Sequence, residues 1–194
     1  MIPLWNHQGL IPPIDDSDPT SNVRSPYYTT IGQVVGRFAT SLERCLILEG
    51  FLNHRGELHR IGVSNGFQWL DGSFTEHIEL IEGRAPKDID VVTFTTIDDQ
   101  HLDSLGEDFR ILGIGVAENH RWVKDNFKVD HYVQSLSDSP DVLVFMASYW
   151  YSMWSHRRTK QWKGFLCIDM DKSNDADARM ILEARRQEIQ NEQN

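Results

Sequence analysis

Asp88-Ile89-Asp90 opens the run Val91-Val92-Thr93-Phe94-Thr95, and no other stretch constrains the fold as strongly. β-Branched and aromatic residues at this density specify a strand over Asp88 to Thr95. In a strand, residues i and i+2 share a face. Asp88 and Asp90 therefore project together, and Ile89 and Val91 point the other way into a core. Two carboxylates that close repel unless a cation neutralises them. Hard oxygen ligands suit Mg²⁺ (or Mn²⁺), and a pair of such ions supports in-line phosphoryl and nucleotidyl transfer.

A site of this kind needs a third carboxylate on a neighbouring strand. Asp130, between Val129 and His131 in an alternating run from Phe127 to Val133, is the first candidate; Asp169 and Asp171 form a rival pair. Upstream, Phe67 to Leu70 reads as a short strand and Gly72-Ser73 follows it closely. A glycine lets phosphate oxygens approach the backbone. A helix beginning near Ser73, capped by its hydroxyl, would offer free N–H groups to an anion.

The remaining pattern gives an α/β (α+β) chain with a short mixed β-sheet and flanking helices. Residues 1–26, rich in Pro, Asp and Ser, read as an extended arm that Trp5, Leu10, Ile11 and Ile14 pin to the body. Residues 27–172 form the main domain, which begins with helical periodicity from Thr29 to Arg60; Gly36, Gly50 and Gly56 split this into two helices. Further helices are expected near 99–106 and 116–124 and over Pro140 to His156, with a fourth strand from Gly164 to Met170. Residues 173–194 read as a charged C-terminal helix.

Composition narrows the function classes. The 194 residues carry a formal net charge of −10, against a general nucleic-acid or membrane-surface binder. The longest apolar segment, Val142 to Trp154, is too short to span a bilayer, so no membrane partner is expected. The first residues lack the pattern of a signal peptide. Two distant cysteines, Cys45 and Cys167, make no disulfide framework, which fits a cytoplasmic location. The histidines show no metal-ligand spacing. His131 faces away from Asp130, and Cys45 reads as packing.

The order Gly72-Ser73, Asp88-Ile89-Asp90, Asp130 resembles the nucleotidyltransferase superfamily that includes DNA polymerase beta and the minimal nucleotidyltransferases of bacterial toxin–antitoxin modules. The "IPP" arm, "GFQWLDGSF", "DIDVVTF" and "YWYSMWSHRR…WKG" resemble, over nearly the whole chain, a bacterial group catalogued as a domain of unknown function. The superfamily resemblance implies a sheet of nucleotidyltransferase type. It further implies that Gly72 and Ser73 contact a triphosphate, that Asp88 and Asp90 bind metal, and that Asp130 completes the site and helps activate an attacking hydroxyl. Two departures stand out. The gap from Ser73 to Asp88 is longer than in minimal members, and Phe74, Thr75 and Glu76 stand where an arginine often follows the Gly-Ser.

Replacement cations are available in "HRRTKQWKG": Arg157, Arg158, Lys160 and Lys163, beside Tyr149, Trp150, Tyr151 and Trp154. Cations next to aromatics suit a triphosphate and a stacked base; a basic helix end above a core aromatic stripe would look the same. Lys87 and Arg84, which flank the D-x-D, are further candidates for binding the nucleotide; loop residues exposed to solvent would look the same.

Two readings follow from the resemblance. One is an enzyme that moves a nucleoside monophosphate from an NTP to a hydroxyl on protein or RNA. The other is a binding module without turnover, acting as an antitoxin or as a subunit beside a toxin or effector protein. A phosphatase of the haloacid-dehalogenase type also carries D-x-D, but at the carboxyl end of a buried strand, whereas here the apolar run follows the carboxylates.

Overall fold

A computed structural model describes residues 1–15 and 17–192. Asp16 of the arm, and Gln193 and Asn194 of the expected C-terminal helix, lie outside the described residues.

The chain forms an α+β fold around a five-stranded mixed sheet. Its strands are β1 (Tyr27–Tyr28), β2 (Phe67–Asp71), β3 (Ile89–Thr95), β4 (Val129–Ser135) and β5 (Leu166–Asp169), in the spatial order β1-β5-β2-β3-β4. β2 runs antiparallel to both neighbours, β3 and β5; the outer pairs β3–β4 and β1–β5 are parallel. The two-residue β1 is too short to leave a sequence signal. The other four strands lie where alternation predicts them, with ends shifted by one or two residues.

Alternation along the strands builds two cores. Leu70, Ile89, Val91, Val129, Leu166 and Ile168 face the helices α1 (Ile31–Phe38), α2 (Leu42–Arg60) and α7 (Asp175–Glu192). Trp69, Val92, Phe94, Phe165 and Cys167 face the opposite side, where α6 (Pro140–Trp154) lies across them through Trp150 and Trp154.

The helical stretch does split in two, but not at a glycine. α1 starts with a reciprocal Thr30–Gln33 capping box, and the break comes at Ala39 to Ser41, where the Ser41 hydroxyl accepts from Arg44 N–H to start α2. Gly50 sits inside α2 because the helix crosses the end of α5 (Ala117–Phe127) there. A Cβ at Gly50 would lie 2.0 Å from the Phe127 carbonyl oxygen.

α2 buries two arginines along with its apolar residues. Arg44 donates to the Phe74 and Glu76 carbonyls and pairs with Glu79 at 2.6 Å. Arg55 pairs with Asp175 at 2.9 Å and donates to Gln68 Oε1. Gln68 then donates to Thr93 Oγ1, 2.9 Å away. His131 Nδ1 lies 2.9 Å from the Leu112 carbonyl, which can only accept, so Nε2 accepts the Thr93 hydroxyl at 2.8 Å. A one-directional chain of donors thus crosses the core from α2 to β4, and His131, which faces away from Asp130, is fully buried.

The arm is pinned as expected. Leu10 and Ile11 are buried, the Trp5 indole donates to the Thr75 carbonyl, and its ring stacks on His77. Between β3 and β4 the chain passes through a short helix, α4 (Asp99–Ser104), a 3-10 turn (Gly106–Leu112) and α5. Among the described residues no helix is long and apolar enough to cross a membrane.

Candidate functional site

Asp71, Asp90 and Asp130 occupy one rung of the sheet. Asp71 pairs in register with Asp90 across β2–β3, and Asp90 with Asp130 across β3–β4. All three fall on the α6 side, since Leu70, Ile89, Val91, Val129 and the buried His131 take the other. Asp88 stands just before β3 at the same end. The sheet therefore brings together the three carboxylates that the sequence singles out and adds a fourth, Asp71, which the sequence reading passed over.

Gly72 is what lets this rung close. Its φ is +84°, and a Cβ would come within 2.8 Å of Asp90 Oδ2. Ser73 differs from expectation. No helix begins there: residues 73–77 form turns, and the five-residue helix α3 (Ile78–Glu82) starts after them. Packing overrides the capping signal. Phe74 is fully buried against Phe38, and Arg44 draws the carbonyls of Phe74 and Glu76 inward. The free N–H groups of a helix start are accordingly not at Ser73.

The four carboxylates are neutralised unequally. Lys124 of α5 reaches Asp88 Oδ2 at 2.7 Å and Asp130 Oδ2 at 2.8 Å, and His120, one turn earlier, lies 2.7 Å from Asp130 Oδ1. Burial works against ionisation of Asp130, yet Lys124 and then His120 hold its carboxyl below the ordinary value. Asp71 pairs with Lys163 at 3.0 Å; burial nevertheless pushes it up to about 6. Among the described residues Asp90 has no hydrogen-bond or ion-pair partner. Burial, with Asp71, Asp130 and Asp88 around it, pushes it up to about 7.

The basic segment divides in two. Lys163 is buried between Asp71 and Glu76, and Arg157 pairs with Glu76 at 2.9 Å and with Glu82. Both are engaged in ion pairs that hold the loop, and both also line the cavity above the carboxylate rung. Arg84 also pairs with Glu82. Lys87, Arg158 and Lys160 are exposed and have no ion pair among the described residues. Lys87 and Arg158 line an open cavity of about 650 Å³ whose floor is the carboxylate rung; Lys160 sits on the turn of a small hairpin closed by the His156–Trp162 bridge, outside the cavity wall. Of the aromatics, Trp150 and Trp154 are core, whereas Tyr149 and Trp162 are exposed. Trp154 and Met153 also edge the cavity.

The rival pair lies elsewhere. Asp169 pairs in register with Phe67, at the far end of β2 from Asp71, and Asp171 accepts from Ser173 N–H to start the turn before α7. The D-x-D stands at the amino end of β3, not at the carboxyl end that the phosphatase reading requires.

Four hard carboxylates, one of them unpaired, suit a divalent cation chemically. Yet no three His, Cys, Asp or Glu side chains among the described residues are arranged as they stand to ligate a metal ion. The Lys124 ammonium holds the point between Asp88 and Asp130.

A family described as of unknown function, DUF6932, matches residues 3–169, from the arm through β5. The chain belongs to the DUF6932 family. No curated protein and no solved structure matches it. The DUF6932 match takes in every residue lining the cavity and ends before α7.

Sequence reasoning missed Asp71, Glu76, His120 and Lys124 in this DUF6932 chain. Asp71 had a signal: it ends an apolar run and immediately precedes Gly72, two residues along from Trp69 on the same face. His120 and Lys124 had a weaker one, the i, i+4 spacing of two basic side chains just before the Asp130 strand.

Proposed function

We propose that this protein is a nucleotidyltransferase-like enzyme that takes an NTP and, with Mg²⁺ or Mn²⁺, moves the nucleoside monophosphate to a hydroxyl on a protein or RNA acceptor. The observation that carries the reading is the convergence of Asp88, Asp90 and Asp130 beside Gly72, with Asp90 left unpaired. Asp88, Asp90 and Asp130 would hold the cation. Bound there, it would polarise the α-phosphate and make the acceptor hydroxyl easier to deprotonate.

The chain's own groups do the rest. Lys87 and Arg158 at the cavity wall offer free positive charge to the triphosphate, in the role first given to four basic residues of the hairpin. Gly72 and Ser73 line the cavity beside the rung. The acceptor oxygen attacks the α-phosphorus, the bond to the β-phosphate oxygen breaks, and pyrophosphate leaves. Asp130 or Asp90 receives the hydroxyl proton. A cytoplasmic setting supplies both NTP and Mg²⁺.

One observation favours a second reading, a module that keeps the fold without turnover, as an antitoxin or as a subunit beside a toxin or effector. Lys124 already neutralises Asp88 and Asp130, as a protein that needs no metal would require.

Incubation with α-labelled NTPs, Mg²⁺ and candidate acceptors separates the two. The enzyme reading expects label transferred by the wild type and lost in Asp88→Ala. Absence of NTP binding at millimolar Mg²⁺ would leave the module.

A further inference from the structure

Lys124 and Lys163 both neutralise carboxylates of one rung, but in different settings. The Lys163 side chain is 5% exposed, and its partners Asp71 and Glu76 are as buried as it is. The Lys124 side chain is 41% exposed, while Asp88 and Asp130 are 19% and 17% exposed. The first lysine is a fixed part of the core. The second reaches in from the rim of the cavity on a flexible four-carbon stem, with solvent behind it.

We propose that Lys124 is a displaceable counter-ion: it holds Asp88 and Asp130 together when no metal is bound, and a divalent cation binds only by expelling it. This role rests on the divalent-cation reading above and adds how that site is controlled. The geometry sets the two in competition. The ammonium contacts one oxygen of each carboxylate at 2.7 and 2.8 Å, so a dication bridging the same carboxylates would meet an adjacent positive charge and compete for the same lone pairs. His120 Nε2 stands 2.7 Å from the other Asp130 oxygen, one turn back on the same helix. Apparent metal affinity is then a difference between two cations, and the site stays closed at low divalent concentration instead of leaving Asp88 and Asp130 uncompensated.

Mn²⁺ binding followed by electron paramagnetic resonance, on wild type and Lys124→Met, tests this without any turnover. The variant is expected to bind Mn²⁺ at least tenfold more tightly and, in EDTA, to melt at lower temperature than wild type. Acetic anhydride labelling of the wild type, read by mass spectrometry, checks the movement directly. The Lys124 amine should acetylate several-fold faster in Mn²⁺ than in EDTA, and Lys163 should stay protected in both. Equal Mn²⁺ affinity of the two proteins, with Lys124 labelling unchanged by Mn²⁺, overturns the counter-ion role and leaves the metal reading standing. Mn²⁺ binding to neither protein overturns both.

Discussion

Asp90 and Asp130 are register partners across the parallel β3–β4 pair, and only one of them has a counter-ion. Lys124 of α5 pairs with Asp130, while Asp90 lies between Asp71 and Asp130 with no ion pair of its own, offset only through the field of Lys163, which is itself paired to Asp71. The rung is thus a place where folding works against electrostatics, as expected of a site shaped for a ligand.

That imbalance sets a pH dependence. Folding raises the Asp90 carboxyl from 3.8 to about 7, so the native state holds a proton that the unfolded chain releases. The associated stability is full below about pH 4 and is lost as pH rises towards 7. Asp90→Asn removes the penalty. Urea denaturation should show the variant more stable than wild type by about 3 kcal/mol at pH 8 and nearly equal to it at pH 4.

Lys163→Met leaves Asp71 and Glu76 buried without their cation. The expected loss at pH 8 is about 3 kcal/mol, in the range for breaking a buried pair. It should shrink at pH 5, because Asp71, already pushed up to about 6, then takes a proton and needs no counter-charge. Denaturation curves at the two pH values measure the difference directly.

The strands and the D-x-D were legible in the sequence because period-2 alternation survives whatever packs on top of it. Asp88 and Asp90 could be placed on one face by counting alone, whereas the face of Asp130 depends on the β3–β4 register; the arm could be placed by its apolar Leu10 and Ile11. Ser73 was misjudged because a capping serine is a local signal, and the burial of Phe74 under Phe38 is a tertiary one. Lys124 could not be assigned a role because its reach depends on where the crossover from β3 brings α5 down. The basic cluster misled in the same way: nothing in "HRRTKQWKG" says that Arg157 and Lys163 turn inward to Glu76 while Arg158 and Lys160 turn out.

The paired histidines of the core predict acid lability. Burial lowers His54 to about 4 and His131 well below its ordinary value, and their rings lie 4.5 Å apart. The unfolded chain takes up protons at these positions below about pH 6.5, and the native state does not. Their contribution is therefore full above pH 6.5 and lost as pH falls towards 4. The imidazole resonances of both should stay at their neutral positions from pH 8 to pH 5, while global stability declines over the lower part of that range.

Two glycines of the helical layer should respond in opposite directions. Gly36→Ala in α1 meets nothing within 4 Å and should raise stability by about 0.5–1 kcal/mol through helix propensity. Gly50→Ala drives a methyl group into the Phe127 carbonyl and should cost about 3 kcal/mol or more. Thermal melts of the two variants decide whether α2 and α5 cross as closely as described.

Arg44 gives the cavity its shape from inside. One guanidinium, fully buried on α2, grips two carbonyls and a carboxylate of the segment that follows Gly72. The wall of the cavity is therefore an extension of the helical layer rather than an independent loop. A ligand that presses on residues 74–79 presses on α2, and through α2 on Asp175 and the C-terminal helix. Recognition at the mouth and rigidity at the back of the molecule are properties of one mechanical unit.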